Sequence, residues 1–349
     1  MRPYQRAVVR LLAAVAAASA GNPLGAQLSL PAQSAPSTTV ATDPFVDLWF
    51  HCLALVGYEG YGQLALYDHQ YAARVRADKR RAAVATTLDI RADELHAGFT
   101  RDSAFEVLHF VPLYFVGREP RLALSELRRA VESPGNPTTT AARLVAAAMA
   151  TPRERALFLA FIDGAEQEWS TYLREQQSRQ AATDNRKLFE LQTAWHQQFA
   201  ARLSKYFVAM HLARVIIIVS PAVGSDGRFI RDAHGSAIIV VSSNRADMAE
   251  APLLASVREL AYPLLDRLQS PPATAATRDG AAVRAGAMML DAADSQLAAA
   301  YRGHFLKLTS APTFDSAFPI DRRVEVGLRE LIAATFQDAA LGRSSYENR

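Results

Sequence analysis

Arg258-Glu259-Leu260-Ala261-Tyr262 has a spacing at which helices do metal chemistry. Side chains at i and i+4 share one helix face, so two ligands there reach the same ion, and a glutamate beside the first can activate a metal-bound water. In this chain only the glutamate is of the required type. Arginine stays protonated and offers no lone pair, and tyrosine is an uncommon ligand. Read from the residues alone, Glu259 is a structural or surface carboxylate and Arg258 is one half of an intramolecular ion pair. Tyr262 is a packing residue whose hydroxyl finds a hydrogen-bond partner nearby.

Other residues with chemical potential are isolated. Glu106-x-x-His109 has the spacing of half a di-iron site in a helical bundle, but no second copy exists to complete it. Asp93-x-x-His96 is a weaker instance of the same pattern. Histidines 51, 69, 196, 211, 234 and 304 make no i, i+4 pair with one another. Cys52, the single cysteine, lies among Trp49, Phe50, Leu53 and Val56, which makes it a small buried hydrophobe and forbids an intramolecular disulfide. Gly224-Ser225-Asp226-Gly227 is a turn, too short to cradle a phosphate, and no nucleophile elbow is present.

The elements that must hold these residues follow from periodicity. Leu253, Val257, Leu260, Leu264 and Leu268 recur every three or four residues, so the Arg258 segment is a helix. Upstream, Val215–Val219 and Ile238–Val241 are β-branched runs joined by a connection rich in turn residues, and they predict a β-hairpin. Asp43-Pro44 starts a helical region that continues to about Leu212, with capping boxes expected at Ser103-x-x-Glu106 and Thr151-x-x-Glu154 and a break at Ser133–Pro137. Two more helices are expected near Ala281–Leu308 and Arg322–Leu341, with Asp279 as the N-cap of the first. Many helices, one hairpin and then helices exclude a parallel βαβ sheet, so the fold class is mostly α with a small antiparallel β-hairpin or sheet, α+β.

Composition bounds the class of function. Arg2, Arg6 and Arg10 precede an Ala/Leu/Val run from Leu11 to Ala20 and the small pair Gly25-Ala26, the pattern of a secretory signal peptide over 1–26. The formal charge of +3 includes only those three arginines from that segment, leaving 3 − 3 = 0 for the remainder. A neutral body argues against nucleic-acid binding, and no later segment is apolar for long enough to span a membrane. Arg74, Arg76, Lys79, Arg80 and Arg81 form a basic run expected to be a solvated helix end. Residues 27–42, polar and punctuated by proline, are expected to be a disordered linker.

A β-hairpin feeding a helix with Arg258-Glu259-Leu260-Ala261-Tyr262, followed by Val283-Arg284-Ala285, resembles the gluzincin-type zinc metallopeptidases, in particular a secreted bacterial group with a long helical N-terminal part. Tyr71–Phe105 and Phe189–Leu212 resemble helical segments of that group as well. The resemblance places the first zinc histidine on Arg258, the catalytic glutamate on Glu259, the second histidine on Tyr262, and the third ligand on or near Gly280–Ala282. None of the three ligand positions carries an ordinary zinc ligand, so no metal, no other cofactor and no catalytic residue is expected. Arg258 would then put a fixed positive charge about where the ion sits in the relatives, where it could hold a peptide carboxylate or carbonyl.

The resulting organisation is a signal peptide (1–26), a linker (27–42), an N-terminal helical region (43–212) and a metallopeptidase-like region (213–349). The expected function is that of a secreted, catalytically inactive pseudopeptidase, periplasmic or extracellular, with a binding or structural role. By the same resemblance, the strand at 235–243 would offer an edge to an extended peptide. Two alternatives remain open: an active hydrolase whose site is assembled from distant residues, and an unrelated helical periplasmic binding protein.

Overall fold

A computed structural model describes residues 36–344 apart from 60–63, 134, 136, 138, 244–247 and 273, with side chains as far as 336. The signal-peptide segment 1–26 and the first part of the linker lie outside the described residues. Strand β1 (Ser37–Ala41) leads to helices α1 (Pro44–Val56), α2 (His69–Arg81) and α3 (Thr87–Arg101), then to two 3₁₀ turns over Ser103–His109 and Val111–Phe115. Helices α4 (Pro120–Glu132), α5 (Thr140–Ala148), α6 (Pro152–Glu168), α7 (Arg174–Ala194) and α8 (Ser204–Ala209) complete the N-terminal part. Strands β2 (Arg214–Ser220), β3 (Arg228–Arg231) and β4 (Ser236–Ser242) follow. The chain ends with α9 (Ala251–Leu260), α10 (Tyr262–Asp266), α11 (Ala275–Ala293), α12 (Ser295–Leu306), α13 (Phe314–Ala317) and α14 (Arg322–Ser344). Among the described residues no helix is long and apolar enough to cross a membrane. The mostly helical α+β class expected from the sequence is therefore the observed one.

The strands form one mixed sheet in the order β1-β2-β4-β3. The two apolar runs expected to be a hairpin instead pair in parallel, Arg214 with Ser236 through Ser220 with Ser242. The antiparallel hairpin is β3–β4, Arg228 with Val240 through Arg231 with Ala237, closed by a turn in which Gly235 adopts φ +78°. Two chain reversals separate the runs because β3 is interposed. Periodicity could not reveal β3: its burial alternates weakly, and it is only four residues long. The continuous apolar character of β2 and β4 has a specific cause, since both faces of the sheet are covered. Ile218, Ile230, Ile238 and Val240 enter a core built from α1–α6, whereas Val215, Ile217, Val219, Ile239 and Val241 enter a second core built from the helices after Ala194.

Two further expectations about strands are corrected. The linker is not wholly irregular, because Ser37–Ala41 adds a parallel strand to β2 and buries Val40. Its outer edge is met by Gln192 of α7, whose amide accepts from Val40 N and donates to Thr38 O, which blunts an otherwise open edge. The strand at 235–243 is no edge: Ala237–Val240 are paired to β2 on one side and to β3 on the other. An extended peptide cannot add there.

The helical region follows its caps closely. Asp43 accepts from Phe45 N and Val46 N at 3.0 and 2.9 Å, and the Thr151–Glu154 capping box is present. At Ser103 the cap is instead Asp102, which accepts from Ala104 N, and Glu106 is free to lie toward Arg228. Pro152–Ala200 runs as one helical rod of about 70 Å at 1.5 Å per residue, with π-turns at Trp169–Leu173 and Trp195–Ala200. It bridges the two cores, and its polar middle, α7, buries no residue. The expected Ala281–Leu308 helix is two, α11 and α12, split at Asp294, whose extended backbone and side-chain cap start the second.

Lys79 departs from the expected solvated helix end. It is 2 % exposed and binds Glu168, Asp89 and Thr86, tying α2 to α3 and α6. His51 lies against the same carboxylate and pairs with Tyr71 Oη at 2.7 Å. Cys52 is fully buried as expected, and burial pushes its thiol well above the ordinary range. Because Glu168 is sealed from water, Lys79→Ala leaves an unpaired buried carboxylate and is expected to lower stability by about 3–5 kcal/mol in urea unfolding. Arg80→Ala on the exposed side of the same helix is expected to stay within about 0.5 kcal/mol of the parent.

Candidate functional site

The Arg258 segment sits at the base of the second core. Helix α9 is buried on almost every side, packed on β4 in front and on α11 and α12 behind. Arg258 is wholly buried and Glu259 is 1 % exposed. The helix pauses at Ala261, where Ala261 N bonds Arg258 O and Leu264 N bonds Ala261 O with the tighter i to i+3 spacing. Pro263 enforces this, having no N–H to continue the α-helical ladder. Tyr262 thereby starts α10 and donates to Asp279 Oδ1 at 2.7 Å.

Asp279 is not a helix N-cap. Thr274 caps α11, and Asp279 lies within the helix, facing the motif. Its neighbours Gly280, Ala281 and Ala282, where the third ligand was expected, are buried and carry no donor atom. Arg258, Glu259, Tyr262 and Asp279 are thus brought to one place.

The turn after β2 supplies what the sequence reading missed. Gly224 N donates to Leu66 O at 2.7 Å and Asp226 N to Ala65 O at 2.9 Å, docking this turn on the 64–67 segment. A Cβ at Gly224 would stand 2.6 Å from both Ala65 O and Tyr67 O, so no larger residue fits. Gly227 is held likewise between Val240 O and the Glu259 side chain. Asp226, fixed between these glycines, accepts from Arg258 on one oxygen and from Arg228 on the other. Arg258 also donates from Nε to Glu259 Oε1 at 2.8 Å. Arg228 lies over the Phe110 ring at 5.8 Å and binds Gly227 O at 2.6 Å. The sequence carried one signal for this, an aspartate and an arginine beside glycine in an apolar surrounding, but nothing that tied them to Arg258.

Electrostatics follow from burial and pairing. Burial alone would raise Asp226, but Arg228 and Arg258 together hold its carboxyl below the usual range. Burial would discharge Arg258, and Glu259 with Asp226 overcomes it, so the guanidinium is charged at all relevant pH. Glu259 is pushed up to about 7, because burial outweighs Arg258 and Asp226 adds repulsion. Burial likewise raises Asp279. Tyr301 from α12 is buried nearby with its hydroxyl against Gly286.

The other sequence candidates do not join this site as ligands. His109 is buried, stacked on Tyr58, and driven down to about 3 by burial and by Arg228, so it is neutral. His96 is an exposed residue hydrogen-bonded to Gly57 O at 3.1 Å. Among the described residues no three His, Cys, Asp or Glu side chains are grouped to hold a metal ion. What the arrangement does is neutralise charge: Arg258 gives its Nε and Nη2 to two carboxylates of its own chain, and its remaining nitrogen, Nη1, is buried without a partner.

Removing that guanidinium leaves Glu259 without its cation in the core and Asp226 with Arg228 alone. Arg258→Ala is expected to cost about 3–5 kcal/mol in urea unfolding. Arg278→Ala, which breaks an exposed pair with Asp266, is expected to cost less than about 1 kcal/mol.

Comparison of the chain with known protein families, with curated proteins and with solved structures gives no match in any of the three.

Proposed function

We propose that this chain is a secreted, catalytically inactive relative of gluzincin-type metallopeptidases that binds no metal and has a binding or structural role. The observation that carries this reading is Arg258. At the position the resemblance gives to a zinc histidine, a guanidinium is buried between Asp226 and Glu259. A divalent cation at that place would meet a fixed positive charge, and the glutamate that would polarise its water is bonded to the arginine instead. Tyr262, at the second ligand position, spends its hydroxyl on Asp279. The packing of α9 on α11 supports the resemblance, since the expected third-ligand region lies on that helix. Export is part of the proposal and rests on the sequence of residues 1–26.

Two measurements test it. Protein purified with zinc supplied is expected to contain far less than one equivalent by elemental analysis and to show no chelator-sensitive peptidase activity. Stoichiometric zinc together with activity lost on chelation would overturn the proposal. Expressed with its own N-terminus in an export-competent bacterium, the protein is expected outside the cytoplasm with a mass starting near Gln27; an intact Met1 chain retained in the cytoplasm removes the secretory part.

A further inference from the structure

Three carboxyl groups and two guanidinium groups share the Arg258 cluster. Asp226 takes bonds from both Arg228 and Arg258, leaving one net positive charge for Glu259 and Asp279 together. The two carboxyls are unequal. Asp279 is partly exposed and accepts the Tyr262 hydroxyl, whereas Glu259 is 1 % exposed, with Gly227 against its side chain. If both ionise, the uncompensated charge falls where water cannot reach it.

We propose that Glu259 keeps a proton in the folded chain and that its loss loosens α9 from the Asp226 turn, making the C-terminal layer a latch that tightens toward acid. Ancestry from a peptidase plays no part in this, since only the charges present are used. The elements packed around the cluster do not relieve the excess. From α12 comes Tyr301, a phenol held neutral by burial. On α11, Arg278 lies over the Tyr262 ring at 5.7 Å but is paired with Asp266 at the surface. From the first 3₁₀ turn come His109, neutral, and Glu106, raised by burial and opposed by Arg228, so neither supplies a cation. Around the docked 64–67 segment, Tyr67 is neutral and Glu59 adds a further acidic group, bonded to Leu66 N and facing His69 at the surface.

The sign follows from linkage. The Glu259 carboxyl stands at about 7 in the fold against an ordinary 4.5, so between those values the folded chain binds more protons than the unfolded one. Its contribution is complete below about 4.5, fades as pH rises, and is lost above about 7. Between those two values the unfolding constant rises about tenfold for each pH step of one, which amounts to a change on the order of a hundredfold. Glutamine keeps the neutral shape and cannot titrate.

Urea unfolding of the parent and of Glu259→Gln from about pH 5 to about pH 8 tests this directly. The ratio of their unfolding constants is expected to grow on the order of a hundredfold toward the alkaline end, the parent becoming the weaker. Parallel profiles would overturn the proposal. A readout on the parent alone covers failure of the variant to fold: a buried carboxylic C=O stretch in the infrared is expected at acid pH and should vanish near neutrality, with faster amide exchange in α9 and α11 beyond the intrinsic pH effect. Absence of a titrating band there would equally overturn it.

Discussion

The parallel β2–β4 pair, buried on both faces, is the constraint around which the molecule is arranged. Two strands of almost unbroken apolar residues cannot leave a face to water, so each needs a helical layer on either side. The N-terminal helices cover one face and the helices after Ala194 cover the other. The chain has to pass between layers, and it does so along the Pro152–Ala200 rod, whose ends are apolar and whose polar middle buries no residue, meeting the second core through the partly buried Leu188, Leu191 and Ala194. Strand β1 and the Gln192 amide then finish the edge that this passage leaves beside the sheet.

Burial on that scale traps charges, and both layers solve the problem in the same way. In the first layer Lys79 meets Glu168 and Asp89; in the second Arg258 meets Asp226 and Glu259. Each network gathers groups from distant parts of the sequence, so each also fixes how helices meet. Such networks are weak sources of net stability but expensive to break, because the surviving partner keeps the full cost of desolvation. The difference lies in their balance. Lys79 reaches Asp89 near the surface, where water can share the load, while the Arg258 cluster holds an excess carboxyl in a sealed place.

Parts of this were legible before any coordinates. The apolar spacing through Leu253, Val257, Leu260, Leu264 and Leu268 names the buried face of the motif helix, and all five lie in the second core. Asp43 and Thr151 announce their helices because a side-chain cap is a local interaction between residues two or three apart. Arg258 as an intramolecular ion pair and Tyr262 as a hydrogen-bonded packing residue also followed from residue chemistry. What failed was long-range: the parallel pairing of β2 and β4, the strand hidden in the linker, the loss of an edge at 235–243, and the role of Asp279.

By itself, then, the sequence determined the local terms: which segments are helical, where most caps and breaks fall, and that Cys52 is buried. Tertiary structure alone decided which charges meet. Asp226 is 32 positions from Arg258 and Glu168 is 89 from Lys79, and no periodicity or spacing links residues so far apart. The reason is physical. Caps and helical faces depend on a few neighbouring torsions, whereas the partner of a buried charge is set by how two layers close over a sheet. For Glu259 that closure decides its protonation, which no property of the isolated segment could supply.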